Sequence, residues 1–289
     1  MYKFFKNTIS KILIEISRSK FFSNNDFIIN FKILKKFKDP NKFVYCWNIF
    51  NNNIYMKLDK SSYIDKEILY NKKYSKNINF HIFQKYRPNT IYIDIGANIG
   101  TTALPIAVKE KNLEVHAFEP NPKIFKILNE NKLQNSCDNL FLHNYAVGFK
   151  EEKSQLFITQ RENGNFGTSS LQNNNDIMDS ESIEVNVIKL DDFFEKFEKT
   201  ISLIKIDIQG FEWQAIQGAK SIISKQKPTI IFEHDDQYLD EPIKVKKELE
   251  KFFKEHQYNI FEIDTYNFRK LKIIDWKKNI KANLIAIKN

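Results

Sequence analysis

The residues best suited to chemistry begin with Asp94-Ile95-Gly96-Ala97-Asn98-Ile99-Gly100. Two glycines four apart permit a tight turn and a close approach of the backbone to a ligand. The N-terminus of a helix that follows can stabilise a carboxylate or phosphate. A dinucleotide fingerprint needs a further glycine at position 98, where the chain meets a pyrophosphate. Asn98 stands there instead, which disfavours NAD or FAD and suits a nucleoside ligand without a pyrophosphate. A glycine turn can also be purely structural, so Glu119 carries weight. It lies nineteen residues beyond Gly100, at the end of the next apolar run, where a carboxylate can accept hydrogen bonds from both ribose hydroxyls.

A second set lies in Ile204-Lys205-Ile206-Asp207-Ile208-Gln209-Gly210-Phe211-Glu212, and a third in Glu233-His234. Asp207, Glu233 and His234 are the candidate catalytic residues, since each could remove a proton from a hydroxyl nucleophile. Glu212 has a bland alternative as a carboxylate in the first turn of a helix, favoured by the macrodipole. His234 has one too, as a buried structural histidine.

Strand ends must bring these groups together. Short apolar runs at 91–93, 113–118, 140–143, 201–206, 229–232, 258–263 and 283–287 predict seven strands, most of them buried and parallel. Between them helical stretches are expected over 101–109, 121–134, 211–224 and 244–256. Asn121-Pro122 supplies a cap and a first-turn proline. Alternating strands and helices give an α/β, doubly wound, mainly parallel sheet. In such a sheet ligands bind outside the carboxyl ends of the strands, where the strand order reverses. Residues 155–159 and 183–190 are expected as strands flanking a polar loop over 160–182, long enough to be disordered or functional. The domain itself is expected over 89–289. Residues 1–88 form an N-terminal extension: an amphipathic helix, a hairpin over 43–50 and 54–58 with an Asn-rich turn, and a helix over 63–85 that stops before Arg87-Pro88-Asn89.

Composition narrows the partners. The 289 residues are 42% hydrophobic, which allows a sizeable core and argues against disorder. The net charge of +9 suits an anionic partner, but the lysines are spread along the chain, so no nucleic-acid partner is expected. Cys46 and Cys137 have no metal-ligand spacing and read as reduced thiols of a cytoplasmic protein. No apolar run is long enough to span a bilayer, and the first twenty residues lack a signal-peptide pattern. They do place Phe4, Phe5, Ile9, Ile12, Leu13 and Ile16 on one helical stripe among basic residues. Such a helix docks on its own protein or makes peripheral contact with the inner face of a membrane. Oligomeric state is not legible.

Asp94–Gly100, Phe118-Glu119-Pro120, Leu190-Asp191-Asp192, Ile204–Glu212, Gly218-Ala219 and Ile231-Phe232-Glu233 together resemble the FkbM-type methyltransferases, over roughly residues 43–240. The resemblance implies a class I methyltransferase (Rossmann-like) fold with S-adenosylmethionine as methyl donor. The acceptor it implies is a hydroxyl of a sugar in a polysaccharide, glycolipid or related glycoconjugate. It assigns Asp94, Gly96, Asn98, Gly100 and Glu119 to the cofactor pocket, with Asn144 and Ala146 in a turn facing the adenine. It also places the serine-bearing loop Thr168-Ser169-Ser170-Leu171 near the site. Gln209 is a departure, because the family usually carries an acidic residue there. With a neutral amide at that position no metal site is expected; Asp207 with Glu233 or His234 is the only carboxylate-rich set that could form one. Two other classes stay open: a non-catalytic or scaffold member of the same fold, and a dinucleotide-dependent oxidoreductase.

Overall fold

The computed structural model describes residues 42–49, 52–59, 65, 68, 75–158, 169–171, 181–264, 267 and 269–288. The amphipathic helix expected over 1–20 and most of the 160–182 loop lie outside the described residues.

The main sheet is built on short runs of Ile, Val and Leu buried on both faces. In sheet order it comprises β13 (Leu271–Ile273), β12 (Tyr258–Ile263), β14 (Lys281–Lys288), β11 (Thr229–Asp235), β10 (Ile201–Ile206), β3 (Ile91–Ile95), β4 (Glu114–Phe118) and β5 (Leu140–His143). The run β11-β10-β3-β4-β5 is parallel, whereas β14 is antiparallel to both β11 and β12. The sheet has eight strands rather than the expected seven. The extended stretch at 271–273 turns back beside β12 and pairs with it as an antiparallel edge strand. β4 and β5 follow outward on one side of β3 and β10 and β11 on the other, so the reversal lies between β3 and β10; β14 then inserts between β11 and β12.

Alternation along the strands divides the core. Tyr92, Val115, Ala117, Leu203 and Ile231 face one side with α1 (Lys76–Lys85), α2 (Ala103–Lys109) and α3 (Pro122–Gln134). Ile93, Phe118, Ile204, Ile206 and Phe232 face the other. Those side chains meet α4 (Leu190–Phe193), α5 (Glu212–Gly218), α6 (Lys220–Gln226) and α7 (Pro242–Glu255). The helix start at Asn121-Pro122 is as expected: the Asn121 side chain accepts from Lys123 N at 3.0 Å.

Two local readings change. The helix expected over 211–224 is broken into α5 and α6 at Ala219; beside the break, Gly218 packs so tightly on Gly148 that an added Cβ would lie 1.9 Å from its carbonyl oxygen. The strands flanking the polar loop join a separate four-stranded sheet ordered β6-β9-β7-β8. Its members are β6 (Ala146–Gly148), β7 (Glu152–Ile158), β8 (Ser169–Ser170) and β9 (Glu181–Lys189). The hairpin of β1 (Lys42–Ile49) and β2 (Asn52–Asp59) packs Ile54, Met56 and Leu58 into the core of α2 and α3.

Candidate active site

The turn after β3 is held from three sides. Gly96 N and Ala97 N both donate to Phe118 O at 3.0 Å. Gly96 has φ 73, and a Cβ there would sit 2.0 Å from Asp207 O, so only glycine lets the turn lie against the end of β10. Asn98, at φ 51, occupies the same left-handed region. Asp94, fully buried beneath the turn, accepts from Thr102 Oγ1 at 2.5 Å.

Across the strand gap, Lys205 is the register partner of Asp94. Its buried ammonium lies 3.1 Å from Asp94 Oδ1 and donates to Gly96 O at 2.9 Å. Burial opposes the charge on Lys205, but the fields of Asp94, Asp207 and Glu233 outweigh it and raise the ammonium's pKa. A buried pair of this kind is strongly destabilised when one partner is removed. Lys205 therefore fixes the turn by binding its carbonyl while cancelling the charge of Asp94.

Glu119, 7% exposed, accepts from Asn98 N at 3.0 Å through one oxygen and from Asn121 N at 2.9 Å through the other. Burial pushes its carboxyl up to about 7, against those two backbone bonds and the nearby Lys205. Each carboxylate oxygen can accept more than one bond, so the group retains capacity for hydroxyl donors. Asn144 does not aim its amide nitrogen into the cleft: its Nδ2 ties together Glu119 O at 2.8 Å and Pro120 O at 3.0 Å.

A mostly apolar cleft, partly open to solvent, lies between the turn and the small sheet. Gly96, Phe118 and Pro120 line one side; Tyr145, Ala146, Leu156 and Leu171 line another; Ile208 and Phe211 complete it. Ala146 is thus placed on the wall, and Leu171 brings the end of the serine-bearing segment to the rim. The contributions of Leu156, Ile208 and Phe211 were not anticipated, since nothing in the spacing of lone apolar residues marks them as cavity walls.

At the carboxyl ends of β10 and β11, Asp207 follows the pair Ile206–Phe232 and so lies level with Glu233. Gln209, at φ 54, donates through Nε2 to Glu233 Oε2 at 2.8 Å and to Asp207 Oδ1 at 3.4 Å. The charge of Asp207, followed by burial and the charge of Glu212, pushes the Glu233 carboxyl up to about 9. The Asp207 side chain beside it is 44% exposed. Glu212 has the bland role: its carboxylate accepts from Ile208 N and Gly210 N at 3.0 Å, locking the loop that presents Gln209.

His234 is not brought to this group. Adjacent strand residues point to opposite faces, and its Nε2 lies 2.9 Å from Asp236 Oδ1, in a network closed by Lys246 of α7. Burial lowers its pKa despite that partner. Asp191, within the Leu-Asp-Asp motif, also serves structure: its carboxylate accepts from Ser221 N and Ile222 N at the start of α6.

These residues fit S-adenosylmethionine. A turn that only glycine can make, a buried acid with spare acceptor capacity beside it, and an apolar cavity are what a nucleoside with a charged tail requires. The Methyltransferase FkbM domain matches residues 94–260, more than half of the chain. No curated protein matches the sequence. Among solved structures, the chain is similar to a methyltransferase FkbM from Methylobacillus flagellatus KT (16% identity, TM-score 0.45), covering 78% of this chain and 54% of that one. This chain thus spans about half the length of that relative. It is also similar to a precorrin-6y C5,15-methyltransferase from Geobacter metallireducens GS-15 (11% identity, TM-score 0.43), covering 75% and 89%. A fibrillarin pre-rRNA processing protein from Methanococcus jannaschii is similar at 12% identity and TM-score 0.42, covering 86% and 83%. The chain belongs to the FkbM methyltransferase family, with a class I, Rossmann-like fold and S-adenosylmethionine as its methyl donor.

Proposed function

We propose that the protein methylates a hydroxyl oxygen, on a sugar of a polysaccharide, glycolipid or related glycoconjugate, with Asp207 as the group that takes the proton. The observation that carries this reading is the level placement of Gly96, Asp207 and Glu233 at three neighbouring strand ends, with Asp207 half-exposed. When bound, S-adenosylmethionine supplies a methyl group already activated by its sulfonium. The protein's remaining tasks are alignment and proton removal. Glu119 would hold the ribose hydroxyls, the apolar cavity would take the adenine, and the glycine turn would face the charged tail. Asp207 would accept the hydroxyl proton as the acceptor oxygen attacks. Gln209 would hold the Glu233 carboxyl beside Asp207. The choice of a sugar rests on family likeness.

The test measures transfer of labelled methyl to saccharide and glycolipid fractions by the unaltered protein and by Asp207→Asn. A loss of about 10²- to 10⁴-fold in transfer, with S-adenosylhomocysteine affinity kept, is expected for removal of a general base. Full activity in the variant would remove Asp207 from the role. Release of S-adenosylhomocysteine only when an acceptor is present would separate the enzyme from a scaffold of the same fold.

A further inference from the structure

The β1–β2 hairpin lines no part of the cavity, yet it is joined to the glycine turn by a continuous line of hydrogen bonds. The outer backbone of β2 bonds to side chains of α3 and of Asn135, the residue that ends it, rather than to another strand. Tyr55 N donates to Asn135 Oδ1 at 2.8 Å, and Asn135 Nδ2 donates back to Tyr55 O at 2.7 Å. Two residues on, Lys57 N donates to Asn131 Oδ1 at 2.6 Å. Asn131 is completely buried, and its Nδ2 donates at 2.9 Å to the carbonyl of Ile99, next to Gly100. On the other side of Gly100, Asn79 of α1 donates to Thr101 O at 2.9 Å. The two carbonyls flanking the left-handed Gly100 (φ 99) are thus each held by a buried asparagine.

Only an asparagine suits position 131. Its oxygen must accept from the hairpin while its nitrogen donates to the turn. Aspartate would keep the first bond and set an oxygen against Ile99 O; alanine would remove the partner of the part-buried Lys57 N and of the buried Ile99 O. Resting on the cofactor reading of this site, we infer that Asn131 is a positioning residue for the cofactor turn, and that through it the hairpin braces a cavity it never touches. Coupling of this kind is reciprocal: a ligand that orders the turn must also tighten the hairpin.

The test is hydrogen–deuterium exchange on the full chain with and without S-adenosylhomocysteine, reading residues 96–102, residues 52–59 and, as a distant control, α7. Slower exchange in the turn and in β2, with α7 unchanged, is the expected result. Slowing confined to the turn overturns the coupling, and so does uniform slowing that includes α7. Absence of binding by the unaltered protein instead overturns the cofactor reading beneath it. Asn131→Asp should weaken S-adenosylhomocysteine binding about tenfold, the scale of one lost buried hydrogen bond. Asn135→Ala, which cuts the ties to Tyr55 and to the Asn131 carbonyl but leaves both side-chain bonds of Asn131 in place, should weaken it less for an equal fall in melting temperature. Affinity losses that simply follow melting temperature in both variants would make Asn131 merely structural.

Discussion

At the scale of single residues, the site works by setting carboxyl groups against one another. Asp94 and Lys205 neutralise each other beneath the turn, so the turn's carbonyls and amides meet a ligand without a bare charge behind them. Glu119 is different, because burial raises its carboxyl to about 7 and ribose hydroxyls need the ionised form as acceptor. The sign follows directly: above pH 7 the free protein holds the carboxylate and binds well. Below it, part of the binding energy goes into removing a proton. Affinity for S-adenosylhomocysteine, measured by calorimetry, should therefore fall as pH drops from 8 to 6. Glu119→Gln should abolish most of that slope and weaken binding at pH 8 by about 10- to 100-fold, the range for a hydrogen bond to a charged group. Equal affinity in the variant would remove Glu119 from the pocket. The motif spacing made Asp94, Gly96 and Glu119 legible. The bridge from Gln209 to Asp207 and Glu233 was not, because it depends on a left-handed residue folding a side chain back across two strands.

At the scale of elements, conserving backbone order between strand and helix falls to side chains far from the cleft. Asp191 caps α6 with both carboxylate oxygens. Asp191→Ala should cost about 1 to 2 kcal/mol by chemical denaturation, the range for losing a good cap, and should leave S-adenosylhomocysteine affinity unchanged. Beneath β4 and β5, His116 joins Glu114 at 2.8 Å and His143 at 2.9 Å, inside a cluster with Phe118, Phe193 and Phe194. Burial, with the charges of His116 and Lys132, lowers His143 to about 4. A histidine lowered in the folded state contributes stability that is fully present above its unfolded value near 6.5. That contribution is lost as pH falls from there towards 4, because the unfolded chain takes up the proton first. Glu119 and Glu212, both raised, act in the opposite sense, so the comparison must be with a variant. Urea unfolding of His143→Gln should show a weaker acid loss between pH 7 and 4.5 than the unaltered chain, by about 2 kcal/mol. Matching pH profiles would rule the histidine out. Sequence periodicity located β4, β5 and α3 to within a residue or so, but not the break between α5 and α6, which lies where Gly218 meets Gly148.

At the scale of the whole molecule, a chain with net charge +9 gathers Asp94, Glu119, Asp207, Glu212 and Glu233 around one cleft. The sheet explains how: parallel neighbours bring their carboxyl ends to one edge, where Asp94, Glu119, Asp207 and Glu233 fall, and Glu212 opens the helix that follows β10. Among the described residues no helix is long and apolar enough to cross a membrane. The hairpin shares its core with α2 and α3, and Met56 within it is fully buried. Met56→Ala should therefore destabilise the protein by about 2 to 4 kcal/mol. Unfolding should remain one cooperative transition, with circular dichroism and fluorescence curves superimposed. A separate early transition in the variant would show the hairpin to be an independent unit.

By itself the sequence determined the alternation of strands and helices, the glycine turn, the acid at the end of β4 and the family, because these are written in local spacing and in residue types with few uses. Tertiary structure alone decided the rest. It turned His234 to the far face while bringing Asp207, Gln209 and Glu233 together, and it paired Lys205 with Asp94. It added an eighth strand at the edge and tied the hairpin to the glycine turn through Asn131. Each of these depends on register between segments far apart in the chain, and on burial that shifts a carboxyl or imidazole from its ordinary behaviour. Neither is carried by any local run of residues.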